Sequence, residues 1–146
     1  MVYQSGKMTL NCVMEVFCGK VNNVEICENV QDGRSTYFTV LVIKEHDTVR
    51  KLMNIIESSQ MGRERYVDMF DSSKGFCVVL DYVKERKLTE FFMAKDMPLQ
   101  VCEDICLNLV VQCMTSGLPY PLLELVIKQG QLQLMKDNGV AISYAI

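Results

Sequence analysis

The sequence predicts an α+β fold, in which a five-stranded antiparallel sheet with one packed helix precedes a helical part with a small β-hairpin. The segment Tyr37–Lys44 is a run of β-branched, aromatic and aliphatic residues, which is typical of a strand covered on both faces. Apolar residues recur at helical spacing over Val49–Ile56, and again over Pro98–Thr115. These three segments set the order in which the remaining elements are placed.

The first three predicted strands follow one another through short turns. Residues 1–8 are expected to form a loose terminus, and Thr9–Phe17 is apolar-rich and β-prone. A tight turn leads to the second strand, Val24–Val30, whose apolar residues alternate loosely with polar ones. Gln31–Ser35 then turns the chain into the central strand, Tyr37–Lys44. The three strands are expected to form an antiparallel meander.

A helix and a hairpin complete the predicted sheet. Asp47 is a suitable N-cap for a helix that runs to about Glu57. Ser58–Arg65 is polar and contains a glycine, so we expect a loop there. Tyr66–Phe70 and Gly75–Tyr82 flank a polar turn and are interpreted as a hairpin. The helix is therefore placed between the third and the fourth of five strands.

The second part of the chain is predicted to be mainly helical. Val83–Lys87 is a charged connector, and Leu88–Met93 is expected to begin a short helix. Pro98 suits the first turn of a longer helix that ends near Thr115. Leu122–Lys128 and Gln131–Met135 flank a glycine-containing turn and predict the small hairpin.

The long helix carries apolar residues around most of its circumference. One stripe at spacings of three and four contains Cys102, Ile105, Cys106, Leu109, Val110 and Cys113. Leu107 and Val111 extend the apolar surface, and Leu107, Val110 and Val111 form the candidate interface of a homodimer. The alternative is that the apolar end, Val140–Ile146, folds back and covers the helix within one chain.

Composition restricts the classes of partner. The chain has 146 residues, 49% of them hydrophobic and 23% charged, which suits one folded domain. The net charge of −3 argues against nucleic acid or an anionic membrane as an electrostatic partner. No apolar run approaches the roughly 18 residues needed to span a bilayer, and we see no secretory signal, so a cytoplasmic location is expected.

The cysteines and the single histidine predict no metal site. Seven cysteines lie mostly within apolar runs, and no Cys-x-x-Cys pair is present. His46 follows the central strand and is interpreted as a surface residue; a catalytic base is the alternative. Buried free thiols indicate a reducing compartment.

The order of the predicted elements resembles the protein kinase fold, as one truncated domain over residues 1–146. Residues 9–82 are similar to the small lobe, and residues 83–146 to the first part of the large lobe. Val40–Lys44 looks like the third-strand motif of kinases, in which the lysine pairs with nucleotide phosphates. The resemblance then implies that Glu57 is the likeliest helix partner of Lys44.

Two further segments carry the resemblance. Asp81, Tyr82 and Val83 look like the hinge between the lobes. Asp137, which is followed by an asparagine and a glycine, is similar to the metal-binding aspartate of the family's Asp-Phe-Gly motif. Lys44, Glu57 and Asp137 are therefore the residues to which a vestigial nucleotide site would be assigned.

The sequence also departs from the kinase pattern. The turn that should be glycine-rich holds only Gly19, and Gly117–Glu124 lacks the catalytic aspartate and the metal-binding asparagine. We therefore expect a pseudokinase without catalytic residues, cofactor or metal, which serves as a protein-interaction or scaffold module. One alternative is a regulatory domain in which Lys44 still binds nucleotide, with ATP and magnesium; another is an active small phosphotransferase.

Overall fold

A computed structural model of the protein describes residues 1–58, 60–82, 86–87, 97–115, 120–121, 123–124, 132–134 and 140–142. The first part is α+β, with six strands in one antiparallel sheet and two helices. The strands are β1 (Val2–Gln4), β2 (Thr9–Cys18), β3 (Asn22–Gln31), β4 (Arg34–Ile43), β5 (Tyr66–Ser72) and β6 (Gly75–Asp81). The helices are α1 (His46–Ser58) and α2 (Gln60–Arg65). The spatial order of the strands is β1-β2-β3-β4-β6-β5.

The second part contains a long helix and a small sheet. The helix α3 (Leu99–Thr115) starts directly after Pro98, as predicted. Strands β7 (Arg86–Lys87), β8 (Leu132–Leu134) and β9 (Val140–Ile142) form an antiparallel sheet in that order. The predicted hairpin is therefore wrong in its pairing, because β8 pairs with β7 and β9. The predicted short helix, Leu88–Met93, lies outside the described residues.

The sheet has six strands where the sequence predicts five, because the expected loose terminus forms β1. Val2, Tyr3 and Gln4 pair with Asn11, Leu10 and Thr9 of β2. Tyr3 is buried in the core beside Leu10. Three residues are too few to show a period of two, so the strand was not predicted. Burial of one large aromatic side chain accounts for the order of this segment.

The predicted polar loop at Ser58–Arg65 contains the helix α2. The guanidinium of Arg65 is buried and donates to the carbonyl of Asp81, with Nη2 at 3.0 Å and Nε at 3.4 Å. Arg63 Nη1 donates to the carbonyl of Glu57 at 2.9 Å, at the end of α1. These contacts satisfy carbonyl groups at the ends of two neighbouring elements. Local sequence did not reveal them, because Asp81 is distant along the chain.

Strand β4 is covered on both faces, as its composition predicts. Val40 and Val42 face one apolar cluster, which includes Cys27 and Val79. The alternate residues of β4 face a second cluster, which is formed with α1. The members of that cluster are Val24, Leu41, Ile43, Leu52, Ile56, Val78 and Leu80.

The sheet curls until its two edge strands meet. The rings of Tyr3 in β1 and Phe70 in β5 have centroids 6.1 Å apart and are inclined at 54°. A flat sheet of six strands would hold its edges about 24 Å apart, at about 4.8 Å per strand. Lys74, in the turn between β5 and β6, also reaches Glu25 of β3. The first apolar cluster is therefore enclosed by the curl of the sheet itself.

We expect Gly75→Ala to destabilise the fold by about 2–4 kcal/mol. Gly75 has φ of +147°, and an added Cβ would collide with the backbone carbonyl of Ile43 in β4. Urea unfolding followed by circular dichroism measures the change. Gly6→Ala is the matched control, because a Cβ there meets nothing within 4 Å. Equal stability of the two variants would contradict this account of the β4–β6 contact.

Candidate functional site

Lys44 lies one residue beyond the end of β4 and is bound to the turn between β2 and β3. Its backbone amide donates to the carbonyl of Val21 at 2.9 Å, and its Nζ donates to the carbonyl of Gly19 at 2.8 Å. The side chain is exposed, and Nζ lies 3.8 Å from Cys18 Sγ. The ammonium group therefore ties the end of β4 to this turn.

The turn before β3 is closed by its own backbone. The amide of Gly19 donates to the carbonyl of Asn22 at 2.9 Å. A turn that binds phosphate presents its amides to the ligand. Here the amide of the single glycine is used within the turn, and Phe17 beside it packs against the cluster under α1.

The structure does not bring Lys44 and Glu57 together. Lys44 stands two residues before the first residue of α1, His46, whereas Glu57 lies in its last turn. At 1.5 Å per residue, the helix separates His46 from Glu57 by about 16 Å along its axis. Lys44 lies before the start of the helix and Glu57 lies near its end, so their side chains do not reach each other. The predicted ion pair is therefore not formed.

The hinge-like residues lie where the sheet ends. Asp81 is the last residue of β6 and is exposed, and its carbonyl accepts the Arg65 hydrogen bonds. The ring of Tyr82 is 6.2 Å from that of Tyr37, centroid to centroid, and both residues are partly exposed. Val83 and Asp137 lie outside the described residues.

A buried carboxylate inside the curl of the sheet was not predicted. Glu25 in β3 is 1% exposed, and its carboxylate faces the interior of the curl. Tyr3 Oη donates to Oε2 at 2.5 Å, and Cys12 Sγ and Lys74 Nζ each donate to Oε1 at 3.4 Å. In the sequence, Glu25 stands two residues before Cys27 and therefore on the same face of the strand, which could have indicated that Glu25 is buried. Nothing in the sequence identified its three partners.

The groups around Glu25 are held in their protonated forms. Burial raises the pKa of the Cys27 thiol to about 12. Burial, followed by the Glu25 carboxylate, raises the pKa of Cys12, and the same two causes raise the pKa of the Tyr3 phenol. Burial also raises the pKa of Cys77. Because the thiolate is the nucleophile, these thiols are weak nucleophiles at neutral pH. The cluster is therefore suited to holding the sheet together.

One face of α3 presents a continuous apolar surface. Leu107, Val110, Val111 and Met114 are between 49% and 80% exposed. Their spacing of three, four and seven residues places them on one stripe, which we call the α3 stripe. The opposite side is turned inward, with Ile105 fully buried. Of the other residues in the apolar stripe seen in the sequence, Cys102, Leu109 and Cys113 are partly buried, and Cys106 and Val110 are exposed.

The described residues were compared with the requirements of a metal site and of a membrane-spanning helix. Among them, no three His, Cys, Asp or Glu side chains are grouped so that they could hold a metal ion. None of the helices in the described part is long and apolar enough to cross a membrane.

Comparison with known proteins assigns no family. No protein-family model matches the sequence, and a search of curated proteins finds no significant relative. Functional inference therefore depends on the residues and contacts described above.

We expect Lys44→Met to change the free energy of unfolding by less than about 0.5 kcal/mol, because Lys44 is exposed. The matched control is Lys74→Met, which removes the cation from the buried Glu25 carboxylate. That variant should lose about 1–3 kcal/mol. Urea unfolding of both variants measures the difference. A large loss on changing Lys44 alone would show that its ammonium has a buried partner.

Proposed function

We propose that the chain is a non-catalytic, kinase-like interaction module, located in the cytoplasm, that pairs with a second copy of itself through the α3 stripe. The observation that carries this proposal is the exposure of Leu107, Val110, Val111 and Met114 on one helix face. Soluble monomers rarely expose large contiguous apolar patches, and such patches mark interaction sites. A two-fold dimer covers the same patch on both copies.

The charges of α3 favour an antiparallel arrangement of the two helices. Glu103 and Asp104 lie in the N-terminal half of α3, and the last turn has no basic residue. Parallel helices would bring the carboxylates of the two copies together. An antiparallel pair centred between Val110 and Val111 separates the two Glu103 positions by about 22 Å along the axis. That separation exceeds the Debye length of about 8 Å at physiological salt.

The non-catalytic part of the proposal is supported by the contacts of Lys44. Its ammonium binds the Gly19 carbonyl, and Glu57 lies at the far end of α1. Phosphoryl transfer needs a lysine, a carboxylate and metal placed together. The kinase-like part is supported by the element order, since β2, β3 and β4, then α1, then β5 and β6 follow one another as the resemblance implies, with β1 added before them and α2 added between α1 and β5. The seven cysteines are all free thiols, which supports a reducing compartment.

We expect the protein to be a dimer and Val110→Glu to dissociate it. Light scattering at micromolar concentration should give about twice the 16.7 kDa of one chain for the native protein. A carboxylate in the middle of the stripe would be buried without a partner in the dimer. Val13→Glu is the matched control, because Val13 in β2 is 55% exposed and Val110 is 54% exposed. A native mass near that of one chain would contradict the proposed interface.

We expect ATP with magnesium to leave the thermal unfolding midpoint unchanged. A ligand at one hundred times its dissociation constant would stabilise the native state by about 2.7 kcal/mol. Differential scanning fluorimetry of the native protein and of Lys44→Met separates specific from general effects. A shift in the native protein that Lys44→Met abolishes would contradict the proposal and favour the nucleotide-binding regulator.

A further inference from the structure

Two cysteines lie directly opposite each other in neighbouring strands. Cys12 of β2 is the register partner of Cys27 of β3. Directly opposed residues of antiparallel strands have their Cα atoms about 4.5–5.5 Å apart, with side chains on the same face. Disulfides need about 4.4–6.8 Å. The register therefore places the two Cα atoms within that range, and both side chains contribute to the apolar cluster inside the curl.

The other cysteines of the sheet are placed too far away to compete. Cys77 is on β6, which is separated from β3 by β4, so the two strands are about 9.6 Å apart at 4.8 Å per strand. The two cysteines are also offset along β4, because Cys27 is opposite Phe38 and Cys77 is opposite Val42. Cys18 lies further along β2, about 20 Å from Cys12 at 3.3 Å per residue, and it faces Asn23. The geometry therefore selects one pair.

The two thiols differ in their access to solvent. Cys12 is partly exposed, whereas Cys27 is completely buried. An oxidant that arrives from solvent reaches Cys12 first. Cys27 is then in position to attack the sulfur of Cys12 from the neighbouring strand.

We propose that Cys12 and Cys27 form a redox-modification site, at which a small disulfide of the glutathione class converts them into an intrachain disulfide. Cys12 loses its proton to solvent, and its thiolate attacks one sulfur of the small disulfide, which breaks that S–S bond and releases one thiol. Cys27 then loses its proton, and its sulfur attacks Cys12 Sγ in the mixed disulfide. The S–S bond of the mixed disulfide breaks, and the departing thiolate takes up a proton and leaves as the second thiol. Two cysteine thiols are oxidised, and one small disulfide is reduced to two thiols. This inference is independent of the proposed function.

Oxidation would alter the contacts of the buried carboxylate. Cys12 Sγ donates its hydrogen to Glu25 Oε1, and that hydrogen is lost when the disulfide forms. Tyr3 and Lys74 remain as donors. The amide of Cys12 also binds the carbonyl of Met1 at 2.8 Å, so the cross-link forms where β1 joins β2. The oxidised state therefore fixes β2 to β3 at the edge of the curled sheet.

The rate of oxidation should depend steeply on pH. Burial and the Glu25 carboxylate raise the pKa of Cys12, and burial raises the pKa of Cys27 to about 12. Lys74 and the N-terminal amino group act on Cys12 in the opposite direction, and Cys27 faces it across the strand pair. The thiolate fraction, and with it the rate, should rise about tenfold per pH unit below the pKa of Cys12.

The test is incubation of the native chain with oxidised glutathione at pH 7, 8 and 9, followed by mass spectrometry. We expect two of the seven thiols to disappear, with a mass loss of two hydrogens and no retained glutathione in that product. Proteolysis after Glu15 separates Cys12 from Cys18, so the linked peptides identify the pair. Cys12→Ser, which keeps a hydroxyl donor for Glu25, should abolish the link. Cys18→Ser should leave it intact.

Three results would overturn the proposal. The first is the absence of a Cys12–Cys27 link at every pH. The second is a lasting glutathione adduct on Cys12 with Cys27 still reduced. The third is the loss of two thiols from Cys12→Ser under the same conditions. Mapping of the native chain decides the first two without any substitution, so they do not depend on the folding of a variant.

Discussion

The buried carboxylate of Glu25 is the interaction on which the curl of the sheet depends. Removing a carboxylate from water costs several kcal/mol unless donors replace the lost hydration. The donors here come from three separate places: Tyr3 of β1, Cys12 of β2 and Lys74 of the turn before β6. Cys12 is on the strand next to Glu25, whereas Tyr3 and Lys74 come from opposite ends of the sheet and reach the carboxylate together only when those ends approach each other. The hydrogen bonds of the carboxylate therefore hold distant parts of the sheet together. The contact between Tyr3 and Phe70 lies where the two edge strands meet.

The curl also explains how one strand can be buried on both faces in so small a domain. Helix α1 covers one face of β4, where Leu52 and Ile56 pack against alternate residues of the strand. No second helix is needed on the other face, because β1, β2 and β5 bend over it and supply Tyr3, Leu10 and Phe70. Lys44, one residue beyond β4, then has the turn between β2 and β3 as its neighbour and not the interior.

Sequence reasoning succeeded where periodicity was strong and failed where distant contacts decide. The five longer strands and α1 were predicted close to their observed positions, because alternation and helical spacing extend over many residues. Strand β1 is three residues long, and α2 depends on a hydrogen bond from Arg65 to Asp81, so neither leaves a periodic signal. The pairing of Lys44 with Glu57 came from the resemblance to kinases alone. It did not take into account the length of α1, which separates the two residues.

The exposed apolar residues of β2 and those of α3 differ in their surroundings. On β2, Val13 and Val16 stand at two irregularities of the ladder and have no register partner in β3, and Glu15 lies between them. Bulges and a charge are the devices by which natural sheets prevent edge-to-edge association. The α3 stripe has neither device: its four apolar residues follow one helix face without an interruption by charge. Residues of similar exposure therefore lie in different settings: those on β2 are accompanied by bulges and a charge, and those on α3 are not.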